Sequence, residues 1–408
     1  MVVFKPFQAT LFNQNIVGNI GNVLCPPYDQ INDEVMRQKY YKLSPYNSVR
    51  LEAARKWTSD TSLKNQNTRS ACTFNSWSNS GVLSLENYPA FYIVEHEFEF
   101  LGQRHIVQGI LGRLQLEKYD SGDVIPHEYT SEKIKEERLN LLKSCSANFS
   151  PILCMYDDNR GVIDELVENI TEEKESFAIK HMKDSFKIWK INDLSFIHLI
   201  QSQLSTESLF IVDGHHRYES SLLYQEFLRG NSKSNNLNAD YIMSFLFSSQ
   251  QKGLTILPYH RLVSGINNSQ KEAIMKKYYD LFSVDTNQKD QTETINLYYK
   301  NEQGDFEILR SSFSNKKLKE DFITDSHIID KVLLEPILGD DLENNIMWTH
   351  DIKSLKRLVK TGEADIGFEL NPVSQEIFRS TARKGQKMPP KSTYFYPKLP
   401  TGITFYKL

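Results

Sequence analysis

Apolar runs along this chain are short, and the spacing inside each one indicates what it forms. Phe91-Tyr92-Ile93-Val94 leads into Glu95-His96-Glu97-Phe98-Glu99-Phe100, where apolar and polar positions alternate. Gly102 marks a turn, and His105-Ile106-Val107 begins the return. This predicts a β-hairpin over Pro89 to Leu114. Tyr241 to Phe247 is nearly continuous in apolar residues, the pattern of a strand covered on both faces, and Thr255 to Val263 reads as another strand. Helical spacing predicts helices over Asn32 to Lys42, within residues 51–81, and over Glu132 to Ser146, the last an exposed one among many charges. Leu209-Phe210-Ile211-Val212 predicts a strand, followed by a helix from Arg217 to Leu228 that Gly230 would end. Tyr218, Leu222, Leu223 and Phe227 should face a core from that helix. Asn231 to Asn238 reads as a polar loop.

Past Gly265 the texture changes to a helix over Gln270 to Phe282, a strand pair within Ile295 to Leu309, and a helix over His327 to Leu338. The expectation is an α+β fold with mixed sheets. Residues 1–265 would form a body carrying the site, and residues 266–408 a smaller α+β region closely packed on it.

Composition narrows the function classes. With 408 residues the chain can bury a substantial core, and its 20 Tyr and 23 Phe mark a folded protein. A net charge of −4 argues against nucleic acid as a partner. No apolar run reaches the ~18 residues of a membrane helix, and Met1 to Pro6 shows no secretory pattern, so a cytoplasmic protein is expected. Cys25, Cys72, Cys145 and Cys154 are scattered, as expected of reduced thiols rather than a zinc site. Neither H-E-x-x-H nor the phosphate-loop, dinucleotide or nucleophile-elbow patterns occur, which argues against zincins, P-loop enzymes, Rossmann dehydrogenases and α/β-hydrolases.

The densest chemistry is Val212-Asp213-Gly214-His215-His216-Arg217-Tyr218. A strand that ends in an acid, a glycine and basic side chains, and then becomes a helix, presents free amides and positive dipole to an anion. Gly214 permits close approach with φ > 0. Arg217 can grip phosphate through two nitrogens. Asp213 is a candidate metal ligand or general base, since a carboxylate beside phosphate calls for a bridging cation. It can equally be a plain helix cap. His215 and His216 point about 100° apart on a helix, so one is assigned to phosphate and the other to packing, with His216 the candidate catalytic group.

Three other segments add candidates. His127-Glu128-Tyr129-Thr130 precedes a charged helix. Thr130 is its expected cap, Lys133, Lys135 and Arg138 form a second anion point, and Glu128 is a possible base; a solvated helix face is the alternative. Pro26-Pro27-Tyr28-Asp29 is a stiff loop on which Tyr28 and Asp29 can orient substrate, or simply a structural turn. Lys391-Ser392-Thr393-Tyr394-Phe395-Tyr396-Pro397-Lys398 reads as an extended segment, with Lys391 and Ser392 extending the anion site and core packing as the default.

Together, Cys25 to Asp29, His127 to Thr130 with Lys133 and Arg138, the Val212 to Tyr218 turn, and Met388 to Lys398 resemble the family named for domain of unknown function 1015. Leu257-Pro258-Tyr259-His260-Arg261 fits as well, with His260 where asparagine is expected. The Asp-Gly-His-His-Arg turn is similar to the Gly-x-x-Arg turn of the ParB/sulfiredoxin fold, which includes sulfiredoxin, CTP-binding partition proteins and free-serine kinases. This second resemblance implies a strand-turn-helix nucleotide site. The implied activity is phosphoryl transfer from ATP or ADP, with Mg²⁺, to a small hydroxylated metabolite such as a hydroxy amino acid. The alternatives are a nucleotide-sensing regulator without turnover, or a hydrolase or lyase acting on a phosphorylated metabolite. Partners are the nucleotide and a small substrate, with room for a homodimer.

Overall fold

The computed structural model describes residues 1–31, 33–158, 160–231, 238–284, 294–313 and 324–408. The chain divides into two units. The first comprises Met1–Pro126, Thr130–Leu254 and Pro397–Leu408, and the second His127–Tyr129 and Thr255–Tyr396. The expected division near residue 266 therefore falls inside the second unit. The final dozen residues return to the first unit because their backbone pairs there: Cys25 and Thr401 exchange N–H···O bonds, and Tyr406 pairs with Asn148.

The first unit is built on a nine-stranded mixed sheet. Its path runs from Val124–Ile125 through Leu209–Asp213, Ile152–Tyr156, Tyr241–Ser248, Gln103–Gln115, Phe91–Phe100 and Asp184–Ile191 to Phe177–His181, with Phe4–Lys5 paired to Gln103–Gln115. Tyr241–Ser248 lies parallel to Ile152–Tyr156 and antiparallel to Gln103–Gln115, so the α+β, mixed-sheet expectation holds. Apolar side chains on one face pack on the helices Val162–Thr171 and Leu194–Leu204 through Leu166, Val167, Ile197 and Ile200. The expected hairpin is present as Phe91–Phe100 and Gln103–Gln115. Leu101 and Gly102, at φ 51° and 76°, form the two-residue turn whose twist suits paired strands. Residues 51–81 are less helical than expected: a short turn at Val49–Glu52 is followed by irregular chain before the helix Gln66–Asn79.

The second unit carries a six-stranded antiparallel sheet ordered Phe282–Val284, Phe306–Phe313, Thr294–Lys300, Ile366–Glu369, His260–Val263, Ile346–Thr349. The single strand expected over Thr255 to Val263 is two strands in two sheets: Thr255–Pro258 pairs with Thr393–Tyr396, and His260–Val263 enters the large sheet. Pro258 has no N–H to continue a ladder, and the chain changes sheets there. The helix Asn268–Leu281 starts at a capping box between Asn267 and Gln270. A buried bidentate pair, Arg261 Nε and Nη2 to Asp330 at 2.9 and 2.8 Å, ties the large sheet to the helical segment Ile328–Leu334. The helix expected over Asn32 to Lys42 is Glu34–Leu43, with Asn32 outside the described residues, as is most of the loop expected over Asn231 to Asn238.

Candidate functional site: an ion cluster at a strand-turn-helix

The strand Leu209–Asp213 pairs with Ile152–Tyr156 in a register that skips Val212, a bulge that re-aims Asp213 at the sheet's edge. Gly214 follows at φ 96°. A Cβ there would lie 2.7 Å from Ile152 and 3.2 Å from Arg217 Nε, so both conformation and space require glycine. The helix then runs His215–Asn231. It begins two residues before the expected start and continues past Gly230, which is not its stop. Tyr218 is fully buried and Leu222 partly so, whereas Leu223 and Phe227 are exposed, so the apolar stripe is narrower than expected.

Four charged side chains converge on this turn. Asp213 accepts from Arg217 Nη2 on one oxygen and from Lys398 Nζ on the other. Lys398 also donates to Asp29 at 2.8 Å, and its side chain is only 3% exposed. Arg217 Nη1 donates to Ser150 Oγ at 2.9 Å and to the Pro151 carbonyl. Asp29 arrives on the stiff proline loop. Lys398 arrives because Thr401 is bridged to Cys25 at the start of that same loop. Behind the turn, Arg138 pairs with Glu52 at 3.3 Å, and its guanidinium lies 4.0 Å over the Tyr28 ring. Burial pushes the Tyr28 phenol up to about 12, so it stays protonated across the physiological range. Arg138, Arg217, Glu52 and Ser150 line a cavity of ≈ 30 Å³. Arg138 Nε and Arg217 Nε are buried there without a hydrogen-bond partner among the described residues.

The remaining expected site residues divide between the units. Thr130 is not the helix cap. Ser131 precedes the helix Glu132–Cys145, and Thr130 Oγ1 donates to Glu219 at 2.6 Å. The Ser131 N–H donates to His216 Nε2 at 2.9 Å, which fixes the ring neutral with its proton on Nδ1. His216 thus closes a helix end, while His215 is buried. Lys133 is exposed, and Lys135 pairs with Glu132 and Glu219. The helix expected to be exposed buries Arg138, Leu141, Leu142 and Cys145.

In the second unit, Glu128 accepts the Ser392 and Thr393 N–H groups and the Thr393 hydroxyl, each at 3.1 Å. Fully buried His127 bonds Thr393 Oγ1 at 2.8 Å. Ser392 Oγ donates to the Pro389 carbonyl, and the Lys391 carbonyl accepts from Arg261. The structure therefore gathers Asp29, Tyr28, Arg138, Asp213, Gly214 and Arg217 in one unit. Glu128, His127, Lys391 and Ser392 form a separate loop anchor in the other. No group of three or more His, Cys, Asp or Glu among the described residues is arranged to hold a metal ion.

Residues 4–323 match the family described as "Protein of unknown function (DUF1015)". The chain belongs to the DUF1015 family. No curated protein matches it. Among solved structures it is similar to a conserved hypothetical protein from Pyrococcus furiosus, at 14% identity and a TM-score of 0.39 over 72% of this chain and 94% of that one. A free serine kinase in complex with AMP aligns at 14% identity and a TM-score of 0.40 over 74% and 92%. SbnI with a C-terminal truncation from Staphylococcus aureus aligns at 11% identity and a TM-score of 0.40 over 72% and 87%. No helix among the described residues is long and apolar enough to cross a membrane.

In this DUF1015 protein the site residue that sequence reading did not assign is Lys398. Its signal was its place at the end of the Met388 to Lys398 motif, which lies beyond the matched residues. Ser150 and the Pro151 carbonyl carried no signal, because a backbone acceptor leaves no mark on a sequence.

Proposed function

We propose that this protein is a phosphotransferase-like enzyme that binds ATP or ADP at the Asp213–Arg217 turn and phosphorylates a small hydroxylated metabolite such as a hydroxy amino acid. The observation that carries this reading is the convergence of Asp29, Asp213, Arg217 and Lys398, from segments far apart in sequence, on the start of one helix. Ion networks held out of water give little net stability, and apolar residues of similar volume would serve a core as well. Their concentration beside a glycine turn and a helix N-terminus supports handling of charged oxygen.

In this reading the first-turn amides and the surrounding cations meet the phosphates. Mg²⁺ would supply charge neutralisation to the phosphates, and Asp213 is the carboxylate that would hold it. The substrate hydroxyl loses its proton to a carboxylate of the cluster as its oxygen bonds to phosphorus, and the bond from phosphorus to the leaving nucleotide breaks. The test is calorimetric titration of ATP and ADP with Mg²⁺ into the wild type and Arg217→Ala, followed by product assays over a panel of hydroxy acids and hydroxy amino acids. Binding lost in the variant, with a phosphorylated product, supports the reading. Absence of nucleotide binding to the wild type ends it, and binding without product leaves the nucleotide-sensing alternative.

A further inference from the structure

The cations around the turn differ in what holds them. Arg217 is fixed to a neutral hydroxyl and a backbone carbonyl as well as to Asp213. Arg138 is bonded to the Glu52 side chain and carbonyl and covers the Tyr28 ring. Lys135 is paired to Glu132 at 2.6 Å and to Glu219 at 3.3 Å. Lys398 is ion-paired to two carboxylates of the cluster itself, Asp29 and Asp213.

We propose that Lys398 is the phosphate-binding residue of this site, and that Asp29 and Asp213 hold its ammonium in place until an anionic oxygen takes it over. This rests on the nucleotide reading above and deepens it by naming the group that meets the terminal phosphate. Exchanging a carboxylate for a phosphate oxygen keeps the charge-assisted bonds of the ammonium. Turning Arg217 toward a phosphate would instead strip donors from Ser150 and Pro151, leaving buried acceptors unpaired.

A lysine is suited to such an exchange because it is a compact charge on a flexible stem. Its backbone is held, since Pro397 and Pro400 flank it and Thr401 is bridged to Cys25. Phosphate and Asp29 compete for one ammonium, so removing the Asp29 charge should strengthen nucleotide binding, and by more in the wild-type background than in Lys398→Met, where no ammonium is released.

The experiment is titration of ADP and of inorganic phosphate into wild type, Asp29→Asn, Lys398→Met and the Asp29→Asn/Lys398→Met pair, with thermal melts of each. Lys398→Met should melt lower than wild type and bind ADP at least about tenfold more weakly. The double variant should recover much of the melting temperature, because one stranded carboxylate is gone, but not the affinity. Asp29→Asn should bind ADP more tightly than wild type. A double variant that binds ADP as tightly as wild type overturns the inference and leaves the nucleotide reading standing; wild type that binds neither ligand ends both. If the Lys398 variants do not fold, an acyl-phosphate derivative of ADP applied to the wild type decides the matter. Acylation of Lys398 that ADP suppresses supports the inference, and labelling confined to other lysines overturns it.

Discussion

Gly214 has the least freedom to change of any residue in the site. Gly214→Ala puts a methyl group into Ile152 at a φ of 96°, where side chains are strained. The expected loss is about 2 kcal/mol of stability, read from denaturant melts, together with nucleotide binding. Arg217→Ala removes one of the two cations on Asp213 and takes a donor from Ser150 and from the Pro151 carbonyl, for which a loss of about 3 kcal/mol is expected in the same melts.

His260 sets an acid limit on the second unit. Burial, the larger cause, pushes its imidazole down to about 4, and its Nδ1 accepts the Leu370 N–H at 3.1 Å, so the native ring is neutral. With an unfolded value of 6.5, the unfolded chain binds the extra proton between 6.5 and 4. The contribution is therefore fully present above 6.5 and is lost as pH falls toward 4, amounting to about 3 kcal/mol in order of magnitude. Melts of wild type and His260→Asn between those limits should show a steeper acid decline in the wild type. The sequence marked His260 only as a departure from an expected asparagine. Its burial and its Leu370 partner come from strand pairing that no local pattern announces.

At the scale of elements, alternation and turn chemistry read well and ends read poorly. The hairpin of Phe91–Phe100 and Gln103–Gln115 was legible because its alternation is long and Gly102 suits the turn. The strand and turn at Leu209 to Gly214 were legible because a short apolar run ends abruptly in an acid and a glycine. The helix start at His215, ahead of the expected Arg217, was not, because the bulge at Val212 is a tertiary fact. Thr130 looked like a cap by residue type, but the position belongs to Ser131, whose side chain makes no cap bond. His216 serves the Ser131 N–H instead. His216→Ala should cost about 1 kcal/mol, the usual value of a lost cap, and raise hydrogen exchange in the first turn of Glu132–Cys145. A phenylalanine at 216 should do the same, since it fills space without accepting the bond.

For the whole molecule, the two units are discontinuous in sequence, and a boundary sought from composition alone could not show that. Residues 397–408 belong to the first unit through Cys25–Thr401, Thr10–Phe405 and Asn148–Tyr406 pairing, with Phe405 buried against Phe12, Phe74 and Phe149. Truncation after Tyr396 should therefore destabilise the first unit well beyond the loss of a loose tail. The expected readout is loss of cooperative near-ultraviolet unfolding, with the burial of Phe405 alone supplying about 3 kcal/mol of the effect.

Lys398 reaches Asp29 and Asp213 because residues 397–408 are laid against the first unit, through Thr401 with Cys25 and Tyr406 with Asn148. The charge cluster is therefore a lock between segments distant along the chain. Prising that segment away takes the ammonium with it, so loosening of the backbone pairing and loss of the cluster are one event.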